Sequence, residues 1–150
     1  MAVMKRDGGN GVIAYPKNIY TALANGAITA GDVVKVETDT SADPDPDTYG
    51  AAGFVVAPTA ESNSALVVGV AVTSAADGEE VQVQTSGFID TCTSAEAIGI
   101  GDMVGGSANG DIRQWDTEGA TSQPFGVCVN AFAGTTNDGA ILIIDKGWFY

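Results

Sequence analysis

The chain has no histidine, only six lysines and arginines, and two cysteines among 150 residues. Each scarcity removes a class of chemistry. Without histidine, nucleophilic catalysis in its usual arrangement loses its base, which would have to be one of the few basic groups or a carboxylate. Metal binding loses its commonest nitrogen ligand, and Cys92 and Cys128 are too few to replace it, so neither a metal nor another cofactor is expected. Phosphate cradles are missing too: there is no G-x-x-x-x-G-K-[ST] and no G-x-G-x-x-G between strand and helix. No apolar run approaches the ~18 residues of a membrane span. The first residues, MAVMKRDGG, carry two basic side chains without an apolar stretch behind them, which predicts no secretory signal and synthesis in a cytoplasm. Against six basic residues stand 19 acidic ones, a net charge of −13. Such a surface repels nucleic acid, whose binding is built from Lys and Arg neutralising phosphates. It also keeps a protein soluble at high concentration. No carboxylate lies in an apolar run that would raise its pKa, so the expectation is a protein that is not an enzyme and has no catalytic residues.

What is present is a repeat. Ala27 to Val34, AITAGDVV, returns at Ala97 to Val104 as AIGIGDMV, with five of eight positions identical at an offset of 70 residues. GVAV (Gly69 to Val72), Asp77-Gly78 and a strand ending at Gly87-Phe88 follow the first copy. GVCV (Gly126 to Val129), Asp138-Gly139 and a strand ending at Gly147-Trp148 follow the second. One supersecondary unit is used twice, over 27–90 and 97–150. Within A-I-x-x-G-D-x-V, the glycine supplies backbone freedom, and Asp32 or Asp102 hydrogen-bonds nearby backbone N–H groups at the start of a strand. Cys128 stands where the first copy has Ala71, so it reads as a small residue on a packed face.

Twenty glycines and long Ala, Val, Thr and Ser runs favour strands and turns, and 150 residues suffice for one all-β domain over 17–150. Lys17 to Gly26 admits either a short helix ending at Gly26 or a tight turn at Asn25-Gly26. Val33 to Thr38 alternates like a strand with one wet face, as do Val81, Val83 and Thr85 against Gln82 and Gln84. Ala65 to Val72 reads as a buried strand. Thr93-x-x-Glu96 has capping-box form with room for at most one helical turn, and Asn109-Gly110 marks a hairpin. Ala140 to Ile144, AILII, is apolar on both faces, hence central in the barrel or covered by another subunit.

Three segments stand apart. Residues 1–16 read as an extended arm pairing Lys5 and Arg6 with an apolar patch at Val12, Ile13 and Tyr15. Asp39 to Gly50, DTSADPDPDTYG, alternates Asp43, Asp45 and Asp47 as a calcium loop does, but lacks the turn glycine and the closing acid, so a solvated loop is expected. Gly31 to Gly69 spans 13 residues more than Gly101 to Gly126, which places a surface insertion somewhere in 39–64. At the far end, Trp148, Phe149 and Tyr150 either close the core or make a subunit contact.

The doubled A-I-x-x-G-D-x-V, with GVAV, Asp77-Gly78 and VQVQTSGF, resembles a family of small tailed-phage proteins often labelled recombinase-like but better understood as capsid decoration, or head-stabilising, proteins. The resemblance covers roughly residues 27–150. It implies a compact β-barrel or β-tulip domain that forms homotrimers on the outer surface of the virion, with the major capsid protein as partner and without nucleic acid or membrane. On that reading Lys5, Arg6, Val12, Ile13 and Tyr15 contact the capsid, and Trp148, Phe149 and Tyr150 contact a neighbouring subunit. A carbohydrate- or host-surface-binding virion module is the alternative.

Overall fold

The computed structural model describes residues 17–37, 55–60, 67–116 and 123–144. Nine strands carry the fold: β1 Asn18–Ala24, β2 Val33–Val36, β3 Val55–Pro58, β4 Val67–Ala71, β5 Glu80–Ile89, β6 Met103–Gly106, β7 Ile112–Gln114, β8 Gly126–Asn130 and β9 Ala140–Ile143. They lie in the order β1-β3-β2-β4-β5-β9-β8-β6-β7, and β1 also pairs with β5. The first five strands therefore close into a barrel, which removes the sheet edges that would otherwise remain unpaired.

Ladder registers show how the repeat is built. Val33 faces Val70 and Val34 faces Gly69 in the first half, and Met103 faces Val127 and Val104 faces Gly126 in the second. Val34 opposite Pro58 is matched by Val104 opposite Gln114, so β7 takes the place of β3. Ala71 opposite Val83 is matched by Cys128 opposite Ile141. Even the parallel pairing of Ala24 with Val56 has a counterpart, the bridge between Ser94 and Ile112. β5 serves both halves: its first part pairs with β1 and β4, while Gly87, Phe88 and Ile89 pair with β9. The second ring is thus the first one again, begun by the end of β5 and closed by a single bridge.

Lys17 to Gly26 resolves as a strand rather than a helix or a tight hairpin, because β1 is needed to close the first barrel between β3 and β5. Asn25 and Gly26 bend the chain behind it, with the Gly26 N–H donating to Asp77 Oδ1 at 2.7 Å. β3 lies inside the interval 39–64 and is a wall strand, so the extra length of the first copy falls between β2 and β3. Asn109 and Gly110, both at positive φ, turn β6 into β7 as a hairpin.

The two interiors correspond side chain by side chain. Ala22, Ile28, Val34, Val56, Ala71, Ala75 and Val83 line the first, and Cys92, Ile98, Val104, Ile112, Cys128, Phe132 and Ile141 line the second. Several positions are larger in the second ring, as Cys92 against Ala22 and Ile112 against Val56, and one pair exchanges volume. Phe132 replaces Ala75, and Gly139 stands where the first ring has Val81; a Cβ on Gly139 would come within 2.5 Å of the Phe132 ring. At packing densities like those of organic crystals, that much added ring demands the missing side chain opposite.

Two expectations of a wet face fail for one reason. Val33 and Val34 are both fully buried, and Gln84 is only 2% exposed. Val33 and Val70 form the outer wall of the first barrel, and that wall packs into the core cluster of the second ring. Gln84 lies beside Val70 on the same wall, and its amide donates to the carbonyls of Ser86 and Phe88 at 3.1 and 2.9 Å, which satisfies it there. β9 is central, between β5 and β8, with Ile141 and Ile143 buried and Leu142 half-buried on the outer side.

Candidate functional site

The carboxylates of the repeated motif are engaged in building turns. Asp32 Oδ2 accepts from the Thr29 N–H at 2.8 Å, and Asp102 Oδ2 accepts from the Gly99 N–H at 2.9 Å. The Asp32 and Asp102 N–H groups donate back to the carbonyls of Thr29 and Gly99, and those of Gly31 and Gly101 donate to the carbonyls of Ala71 and Cys128. Each turn is thereby pinned to the partner of the strand it opens, β4 beside β2 and β8 beside β6. The two copies nevertheless differ in surroundings. Gly31, at φ +100°, lies against the second ring, where a Cβ would stand 2.2 Å from the Thr91 oxygen; Gly101, at φ +91°, faces open space.

The burial of Asp32 corrects one expectation. Burial pushes the Asp32 carboxyl above its usual range, partly opposed by the hydrogen bond from Thr29. Asp111 is raised as well, by burial first and by the charge of Asp32 second. Asp32 packs so closely over Gly110 that a Cβ there would lie 2.8 Å from its side chain. The two acids interact across the junction of the rings, from segments far apart in sequence. No metal-ligand cluster accompanies them among the described residues.

Other reactive groups are likewise occupied. Cys92 and Cys128 are buried free thiols. Burial pushes Cys92 up to about 12 and raises Cys128, which suppresses the nucleophilic thiolate. Glu96, rather than capping a helix, braces β7 by accepting from the Gln114 N–H at 2.9 Å, and it lies 3.7 Å from Arg113 Nε. Arg113 also pairs with Asp116 at 3.4 Å.

What the fold leaves open is an apolar surface on the second ring. Met103 pairs with Val127, Val127 with Leu142, and Leu142 with Phe88, so these four side chains form one row across β6, β8, β9 and β5. Directly paired residues project from the same face of a sheet. Met103 is 42% and Phe88 44% exposed, with Val127 and Leu142 half-buried between them. Farther along, Val129 is exposed on β8, and Ile100 is 71% exposed at the motif turn. Of the corresponding positions in the first copy, Val33, Val70 and Gln84 are buried and Ala30 is small, while Ile19, the counterpart of Phe88, is exposed. The signal was present in the sequence as the differences between the copies, Ala30 against Ile100 and Val33 against Met103, but the copies had first to be aligned in space.

A family model described as phage cement protein matches residues 16–143. The chain belongs to the phage cement protein family. Among solved structures it is similar to the N base of the head fiber protein gp8.5 of bacteriophage phi29, with a TM-score of 0.60 and 19% identity, covering 86% of this chain and 95% of that one. No curated protein matches. The similarity to the phi29 protein shows a shared fold, and the described strands of this cement-family chain, from β1 to β9, all lie within the matched family region. The expected capsid contacts Lys5, Arg6, Val12, Ile13 and Tyr15 lie outside the described residues, as do Trp148, Phe149, Tyr150 and the acidic run with Asp43, Asp45 and Asp47.

Proposed function

We propose that this chain is a structural protein of the phage head that binds the outer surface of the assembled capsid as a homotrimer and stabilises it, without catalysis. The observation carrying this reading is the cement-family match across 16–143, which includes the first copy of the repeat and the second as far as β9. The described chemistry agrees with it: the motif carboxylates hold turns, the thiols are buried, and a sheet face of the second ring exposes uncharged apolar side chains. A protein that binds only the assembled shell stabilises it by mass action, through many copies that are individually weak. The major capsid protein is the partner on this reading, and the arm at 1–16 is its grip, with Lys5 and Arg6 meeting acidic groups and Val12, Ile13 and Tyr15 as anchors.

The experiment is to add the purified protein to undecorated capsids of its phage and measure occupancy and resistance to heat. Saturable binding with a raised disruption temperature is expected, and a chain starting at Lys17 is expected to fold but to bind poorly. Absence of binding by the full chain would overturn the reading. Unchanged occupancy of the shortened chain would move the grip to the barrel.

A further inference from the structure

Among the described residues, the joint between the rings is made once, and both of its surfaces recur elsewhere in an exposed form. A single core cluster joins Val33 and Val70, on the outer wall of the first barrel, to Ile89 and Phe125 of the second ring. Register identifies the counterparts. Val33 and Val70 correspond to Met103 and Val127, and Ile89, which faces Ile141, corresponds to Tyr20, which faces Val83. Val33 is fully buried, but Met103 is 42% exposed; Ile89 is 4% exposed, but Tyr20 is 54%. Among the described residues, the second ring therefore displays a wall, and the first ring an end, that the other ring does not cover. A two-fold relation between the rings would have buried both walls together. Burial of only one makes the joint a heterologous contact, of the kind that closes into a ring when repeated between subunits.

We propose that copies of this chain associate head to tail by repeating this internal joint, the Tyr20 end of the first barrel in one copy seating on the Met103, Val127, Leu142 and Phe88 row of the second ring in the next. The charge distribution favours that site. Two copies at −13 each repel over most of their surfaces, but none of the four residues in the row ionises, so contact there desolvates no charge. Exposed large apolar side chains gathered on one face are the usual mark of an interaction surface. The inference rests on the preceding reading only for the number of copies, and its test contains no capsid, so loss of capsid binding and loss of self-association are separate results.

Sedimentation velocity tests it on the wild-type chain, on Met103→Glu, which damages the wall, and on Tyr20→Glu, which damages the end. The wild type is expected to form a closed oligomer that strengthens with salt, as repulsion is screened. Each variant is expected to remain a monomer where the wild type is assembled. An equimolar mixture of the two is expected to form dimers and stop there, because one good wall meets one good end and the damaged pair cannot propagate. Phe88→Ser replaces the wall variant if Met103→Glu fails to show a cooperative melt. A wild type that stays monomeric at millimolar concentration overturns the proposal, as does normal assembly of folded Tyr20→Glu, which would mean a wall-to-wall contact, or a mixture without dimers.

Discussion

Phe132 and Gly139 offer the sharpest test of how the two rings are related. The second core spends its volume on the Phe132 ring and leaves Gly139 without a side chain, whereas the first divides the space between Ala75 and Val81. Phe132→Ala alone empties a site that is 2% exposed, and removal of a buried phenylalanine costs about 3–5 kcal/mol. Gly139→Val alone drives atoms into a ring already within 2.6 Å of the new Cβ, an overpacking worth about 1–3 kcal/mol. Together the two substitutions recreate the Ala and Val pair of the first barrel. The double variant is therefore expected to be more stable than the sum of the single losses, with a coupling of about 1–3 kcal/mol, inside the ~0.5–3 kcal/mol found for contacting residues. Gly139 has no positive φ, so valine meets no backbone penalty that would mask the effect. Thermal melting reads it: at ~2–4 °C per kcal/mol for a chain of this size, Phe132→Ala should lower Tm by about 6–20 °C, and Gly139→Val should restore part of that loss. Additivity within ~0.5 kcal/mol would refute the claim that the copies fill equivalent space with exchanged volumes.

The paired motif glycines provide an internal control. Gly31→Ala meets the Thr91 oxygen across the junction as well as an unfavourable φ, while Gly101→Ala meets only the φ cost of ~1–2 kcal/mol, so the first should lower Tm distinctly more than the second. The acids at the junction give a pH dependence. Because the folded-state pKa values of Asp32 and Asp111 are raised, the fold holds more protons than the unfolded chain just above the ordinary carboxylate range. Their contribution should therefore increase stability as pH falls through that window and lose it as pH rises. Asp111→Asn removes the charge beside Asp32 and should flatten the slope in urea denaturation; an unchanged slope would show that the two do not interact.

Much of the architecture follows from local chemistry that a linear reading captures. The A-I-x-x-G-D-x-V turns require a glycine at positive φ and, next to it, an acid that accepts from the backbone N–H three positions earlier. Alternating valines announce strands, and Asn109-Gly110 announces its hairpin. Such features depend on neighbours in the chain, so the sequence alone determined them, along with the all-β class and the exclusion of histidine-based chemistry. Tertiary structure decided the rest, because it set identical motifs in different surroundings. Val33 and Met103 hold the same place in the repeat, yet one is sealed by the second ring and the other faces solvent. Asp32 is lifted above the usual carboxylate range by burial, with its side chain packed over Gly110 from the far part of the chain. Lys17 to Gly26 lacks a decisive periodicity and becomes strand β1 because the barrel needs a member between β3 and β5. A repeat fixes what each copy can form, but two copies joined end to wall cannot share one environment, and that asymmetry arises only when they pack.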